Sequence, residues 1–208
     1  MLTVALMTVN GDLLESYLER GQPVSRIYEP QGVTVVMGAG RKNREDLIRT
    51  NIEADGIPVL MRKGGGGTVV LSPGMVVLAS VKEVSSPYHN REYARQFNGW
   101  FVKALQELGV SDVQHRGISD LALKGAKILG ASVFRKRLTF FYQASLLVTN
   151  DLTLFSRYLA FPDTVPDYRL ERSHEEFCTN LKACGYNLSV PQIIERLEEI
   201  VKTEHPLP

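Results

Sequence analysis

Four consecutive glycines, Gly64 to Gly67, stand between two runs rich in β-branched residues, and this stretch constrains the chain most. Val59-Leu60-Met61 leads in and Thr68-Val69-Val70-Leu71 leads out, and both flanks read as strands. Glycine gives up the most backbone freedom on folding and brings no side chain to a core. A run of four is a poor way merely to turn a corner. It suits a loop whose backbone approaches a ligand closely, with amide N–H groups free to donate. Arg62 and Lys63 at the loop's entrance could meet an anion. The P-loop pattern is absent, because no Gly-Lys-Ser/Thr opens a helix afterwards. G-x-G-x-x-G is absent too, because a strand follows. The alternative reading is a flexible hairpin tip.

Composition narrows the class. At 208 residues the chain is read as one domain spanning 1–208, long enough to bury a sizeable core. A net charge of +1 removes a global electrostatic case for nucleic acid. The apolar run from Val69 to Val81 is interrupted by Ser72, Pro73, Gly74 and Ser80, so no membrane span is expected. The first residues lack a basic n-region and read as a strand and turn, not as a signal peptide. Cys178 and Cys184 lie six apart, are expected within one helical region, and suggest no disulfide framework. A reduced, cytoplasmic protein is the simplest inference.

Periodicity predicts helices over 12–20, from an Asn43 cap through about Ala54, over 93–108, 152–159, 173–183 and 191–202. Gly21 and Gly109 are the expected stops of the first and third. Strands are expected at 24–28, 33–37 and 75–84, and a meander at 120–124, 127–134 and 138–148. Strands in meanders with helices around them indicate α+β. Trp100 reads as packing, and Ser173 with Glu176 reads as a capping box.

Lys127 opens an apolar strand directly after a tight turn. Such a lysine often snorkels to solvent. Its functional reading is a fixed ammonium that binds a phosphate and polarises a carbonyl. Asp120, seven residues earlier on the paired strand, could bind Mg²⁺ or a ribose hydroxyl, or be only a turn residue.

The order of these pieces resembles the catalytic domain of the lipoate–protein ligase A family, within the biotin/lipoate ligase and octanoyltransferase superfamily. Four blocks carry the resemblance: Val35-Val36-Met37-Gly38; Met61-Arg62-Lys63 with the glycines, Thr68 and Val69; Ser119-Asp120-Leu121 with Lys127-Ile128-Leu129-Gly130-Ala131-Ser132; and Gln143-Ala144-Ser145-Leu146-Leu147. The resemblance implies a mixed β-sheet flanked by helices, of the class II aminoacyl-tRNA synthetase and biotin synthetase type. It implies a tunnel for lipoate or octanoate beside the glycine loop. Lys127 matches the lysine that contacts the acyl carbonyl and the α-phosphate. Gly65, Gly66 and Gly67 match the loop that closes on acyl group and nucleotide, and Arg62 its second arginine. Thr68, Gly130 and Ala131 fall beside these on the cofactor side, and Asp120 matches the nucleotide and metal-side aspartate.

The implied reaction uses ATP and Mg²⁺ to form lipoyl-AMP. The acyl group then passes to a lysine of a lipoyl acceptor domain, in a 2-oxoacid dehydrogenase subunit or the glycine-cleavage H protein. Departures are Met61 for an arginine, Leu71-Ser72 for His-Asp, Ser119 for Asn, and Gln143-Ala144 for His-Gly. The larger ligases also carry a C-terminal accessory domain, so this chain is expected to be either a compact ligase or one that needs an accessory subunit. Two alternatives stand beside the ligase. One is an ATP-independent octanoyl or lipoyl transferase, which needs a nucleophilic cysteine that neither family position supplies. The other is a non-catalytic lipoate or acyl-AMP binder. Arg135-Lys136-Arg137 reads either as a docking patch for an acidic acceptor or as a solvated hairpin tip.

Overall fold

The computed structural model describes residues 4–40, 46–162 and 164–204. In chain order its strands are β1 (Val4–Thr8), β2 (Val24–Tyr28), β3 (Thr34–Met37), β4 (Val59–Met61), β5 (Val69–Leu71), β6 (Met75–Glu83), β7 (Gln114–Arg116), β8 (Asp120–Leu123), β9 (Ala126–Lys136) and β10 (Thr139–Leu147). Its helices are α1 (Gly11–Arg20), α2 (Arg49–Ala54), α3 (Asn90–Glu107), α4 (Thr153–Tyr158), α5 (His174–Phe177) and α6 (Val190–Glu204). The class is α+β, as expected. The strands divide between a large antiparallel sheet, ordered β2-β6-β10-β9-β8-β7, and a small mixed sheet, ordered β1-β4-β3-β5.

Alternation along the strands decides what lies on each face of the large sheet. One face carries Phe140, Tyr142, Leu121 and Leu129. It is covered by α3 and α6 through Phe97, Phe101, Ala104, Leu105, Ile193, Leu197 and Ile200, all essentially buried. Trp100 packs edge-on against Phe97 with ring centroids 4.6 Å apart, so its role is packing. The other face presents Met75, Val77 and Leu147 to the small sheet's Val35, Val36, Met37, Val59 and Val70, with α4 closing the layer through Phe155 and Tyr158. The clefts of interest open between these two sheets.

Several boundaries move. The helix expected from Asn43 begins at Arg49; Asn43 and Glu45 lie outside the described residues. The backbone before Arg49 is drawn into pairing instead, since Leu47 bridges Leu159 and Ile48 N–H donates to the Tyr158 carbonyl. The helix expected over 173–183 ends after Phe177. Its capping box is present, with Ser173 and Glu176 bonded reciprocally. Cys178 then turns extended (φ −100°, ψ 146°) and bridges Lys127, while Thr179 N–H donates to the Lys127 carbonyl at 2.9 Å. Unpaired backbone groups at the edge of β9 outcompete one more helical turn. Cys178 and Cys184 therefore do not share a helix.

The glycine loop is not a hairpin tip. β3 lies between β4 and β5, parallel to the first and antiparallel to the second, so the loop crosses over β3. It passes so close to the end of β3 that a Cβ on Gly38 would sit 2.2 Å from the Gly66 carbonyl oxygen, whereas one on Gly65 would meet nothing within 4 Å. Both backbones are rigidly tied there: Ala39 N–H donates to Gly64 O at 3.0 Å and Arg62 N–H to Met37 O at 2.9 Å. Gly38→Ala should therefore lower stability by about 1–3 kcal/mol, as overpacking does. Gly65→Ala should change it by less than about 1 kcal/mol. Urea unfolding of both variants checks this, and equal midpoints would refute the close crossing.

Candidate active site

The site begins with a bulge. β8 and β9 pair Leu121 with Leu129, but the next pair is Ala122 with Lys127, so β9 carries one extra residue there. In an unbroken strand Lys127 and Gly130 would point to opposite faces. The bulge re-aims the lysine. Its side chain lies over Gly130, where an added Cβ would sit 2.8 Å from both Cε and Nζ. Lys127 Nζ bonds Asp120 Oδ1 at 2.8 Å, and the Tyr168 hydroxyl donates to Asp120 Oδ2, also at 2.8 Å. Lys127 does not snorkel away: its side chain is only 26% exposed and that of Asp120 12%. An ammonium has three donors. The Asp120 bond fixes its position and leaves the others for a ligand.

Arg62 takes a different place from the one its position at the loop entrance suggests. It is buried, and burial pushes its guanidinium down to about 10, still charged at neutral pH. Its donors go to the carbonyls of Val36 (3.2 Å), Gly65 (2.8 Å) and Gly67 (2.6 Å). It holds the loop's carbonyls while bordering the smaller cavity, so its donors are already engaged within the protein. Thr68 donates its hydroxyl to Asp46, a buried carboxylate whose Oδ1 has no partner among the described residues. Sequence reasoning did not single out Asp46, which stands beside residues that lie outside the description.

Two cavities meet at this point, and Gly67, Val69, Lys127, Gly130 and Ser145 line both. The larger, about 230 Å³, continues past Asp46 and Thr68 to Phe155, Arg169, His174, Phe177 and Cys178. The smaller, about 130 Å³, runs past Val36, Gly66, Ala131, Val77 and Leu71 to Gln143 and Asn10. Lys127, Gly66, Gly67, Thr68, Gly130 and Ala131 thus face one or both cavities. Gly65 serves through its carbonyl on Arg62, and Asp120 through Lys127. Among the departures from the family pattern, Leu71, Gln143 and Ala144 face the smaller cavity. Ser119 is structural, donating its hydroxyl to the Ala131 carbonyl at 2.9 Å.

The segment after α4, whose Pro162 and Pro166 suggest a loop, walls the larger cavity. A 3₁₀ turn at Asp167–Arg169 brings Tyr168 to Asp120. Arg169 and Arg172 lie against the Phe177 ring, 5.0 and 5.4 Å from its centroid, and Lys127 Nζ is 6.0 Å from the same ring. His174 bonds the Ala160 carbonyl at 3.0 Å, and burial lowers its pKa. Burial pushes the Cys178 thiol up, while Lys127 and Arg169 act against that rise. Among the described residues no group of three or more His, Cys, Asp and Glu could form a metal cage. No helix there is long and apolar enough to cross a membrane.

The chain matches the family model described as "Lipoyl protein ligase A/B catalytic domain" over residues 7–202. It is 26% identical over 194 residues to a Mycoplasma pneumoniae protein named "Probable lipoate-protein ligase A", covering 90% of this chain and 55% of that one. The chain thus spans about half the length of this curated relative. A bi-partite lipoate protein ligase of an archaeal lipoylation system from Thermoplasma acidophilum superposes with a TM-score of 0.76 at 22% identity, covering 96% of this chain and 81% of that one. A crystal structure of lipoate-protein ligase A bound with ATP superposes with a TM-score of 0.73 at 20% identity, over 96% and 83% of the two chains. These superpositions establish the fold, and the match over 7–202 establishes that the chain belongs to the lipoyl protein ligase A/B catalytic domain family.

Proposed function

We propose that this chain, as one catalytic domain, is a lipoate–protein ligase. It forms lipoyl-AMP from lipoate and ATP and passes the acyl group to a lysine of a lipoyl acceptor domain. The observation that carries this reading is the fixed ammonium of Lys127 at the junction of two cavities.

The smaller cavity, walled by Val36, Val69, Leu71 and Val77, takes the acyl chain; the larger takes ATP. The lipoate carboxylate attacks the α-phosphorus and pyrophosphate leaves. The acceptor amine then attacks the carbonyl of the mixed anhydride and AMP leaves. Both steps build negative charge on oxygens beside Lys127. A preorganised ammonium and loop amides stabilise that charge without reorganising. Mg²⁺ would offset phosphate charge and travel with the nucleotide, since both oxygens of Asp120 already have partners and that residue alone makes no cage.

The transferase reading needs a thiolate. Cys178 lines the larger cavity, but burial raises its pKa, which favours the ligase. A reducing cytoplasmic setting suits two free thiols.

The test is mass spectrometry of the chain with ATP, Mg²⁺, lipoate and a lipoyl acceptor domain. Lipoylation that requires ATP is the expected result. Transfer from octanoyl carrier protein without ATP would replace the ligase by the transferase. Transfer only from added lipoyl-AMP would mean that activation needs an accessory subunit, and none from either source would favour a binder.

Lys127→Ala should lower turnover by about 10²–10³-fold, the usual effect of removing one charge-stabilising donor. Gly130→Ala should leave the melting temperature unchanged, because only the flexible end of Lys127 must yield. It should still slow turnover by about 10²-fold through the displaced ammonium. Unchanged turnover in both variants would remove Lys127 from the mechanism.

A further inference from the structure

Among the described residues, the wall of the larger cavity holds a buried cation with an unpartnered donor. Arg169 is 4% exposed. Its guanidinium lies against two rings, 4.6 Å from the Phe161 centroid and 5.0 Å from that of Phe177. Such stacking occupies the faces of the planar group and leaves its N–H edge still needing acceptors. Nε donates to the Arg172 carbonyl at 3.1 Å, but the buried Nη2 has no partner among the described residues. Leaving a buried charged donor unpaired is expensive.

The neighbouring cations already have protein partners. Arg172 bonds the carbonyls of Gly125, Tyr168 and Arg169, and Lys127 bonds Asp120. Among the described residues no carboxylate is an ion-pair or hydrogen-bond partner of Arg169; Cys178, Arg172 and His174 are the groups that act on it through space. Lys127 and Arg169 press on the same Phe177 ring, so one polyanion in the cavity can reach both.

We propose that Arg169 binds the β- and γ-phosphates of the nucleoside triphosphate and stabilises the pyrophosphate leaving group, beyond the α-phosphate contact of Lys127. This rests on the nucleotide reading of the larger cavity. It divides the two half-reactions. Arg169 serves adenylation, where the P–O bond to pyrophosphate breaks and its charge grows. It is idle in acyl transfer, where only AMP leaves.

The experiment compares wild type with Arg169→Gln and Arg169→Lys in the full chain. Calorimetry gives the affinities for ATP, pyrophosphate and AMP, and a separate assay measures acyl transfer from synthetic lipoyl-AMP. Loss of a charge-assisted hydrogen bond to phosphate predicts that Arg169→Gln weakens ATP and pyrophosphate binding about 10- to 100-fold. AMP affinity and transfer from lipoyl-AMP should fall far less, by no more than about threefold, because neither involves the β- and γ-phosphates. Arg169→Lys should restore part of the ATP affinity by keeping the charge. Unchanged ATP affinity in Arg169→Gln would overturn the assignment while leaving the ligase reading intact. So would an equal fall in AMP affinity and transfer, which would mark a merely structural residue. A wild-type chain that bound neither ATP nor pyrophosphate would overturn both.

Discussion

A loop of four glycines has no side chains with which to hold itself, and in this protein Arg62 holds it. The guanidinium is buried without a carboxylate hydrogen-bonded to it among the described residues. Carbonyls from β3 and from the loop accept its donors, and the Asp46 carboxylate acts on it through space. Burying an ion this way is tolerable only because several donors are satisfied at once. The arrangement explains how a sequence with little intrinsic order can make one wall of two cavities. The loop's conformation is set by its carbonyls, which leaves the glycine surface bare. Backbone can then approach a ligand at distances that any side chain would prevent.

The second constraint is the extra residue in β9. Regular alternation would place Lys127 with Leu129, a fully buried core residue under α3. The bulge separates the two, sending Leu129 into the core and Lys127 over Gly130 into the cleft. Asp120 and Tyr168 then fix the ammonium from the other side. Gly130 is needed because the lysine occupies the volume its Cβ would take. The pattern of lysine, two apolar residues and glycine is thus a packing requirement, which is why it can be recognised in a sequence.

Much of the fold was legible for the same kind of reason. The meander of β8, β9 and β10 and the amphipathic α3 and α6 are local patterns with strong periodicity. Gly21 and Gly109 adopt positive φ at 69° and 85°, as helix stops do. Lys127 and Asp120 could be placed on one hairpin, but the bulge that brings their side chains together left no signal. The failures share one cause, competition from partners distant in sequence. The helix expected through Ala183 yields at Cys178 to the edge of β9, and the one expected from Asn43 yields to Tyr158 and Leu159. Arg62 could be located but not aimed, since its acceptors include Val36, 26 residues earlier. Arg169 gave no signal, because it sits in a segment without periodicity and acquires its surroundings only when Phe161 and Phe177 converge.

The departures from the family pattern gain meaning from where they fall. Leu71 and Gln143 line the smaller cavity, whereas Ser119 and Met61 do not. Gln143 is buried, with its Oε1 accepting from Asn10 and its Nε2 unpartnered among the described residues. Neither side chain titrates near neutral pH, as a histidine does. Part of the variation thus borders the cavity that the proposed function gives to the acyl chain. The glycine loop, Lys127, Asp120 and Gly130, which surround the reacting atoms in the proposed chemistry, keep the family's residue types. Under the proposed function, the substitutions beside the smaller cavity bear on which acid is accepted, apart from the groups that handle charge.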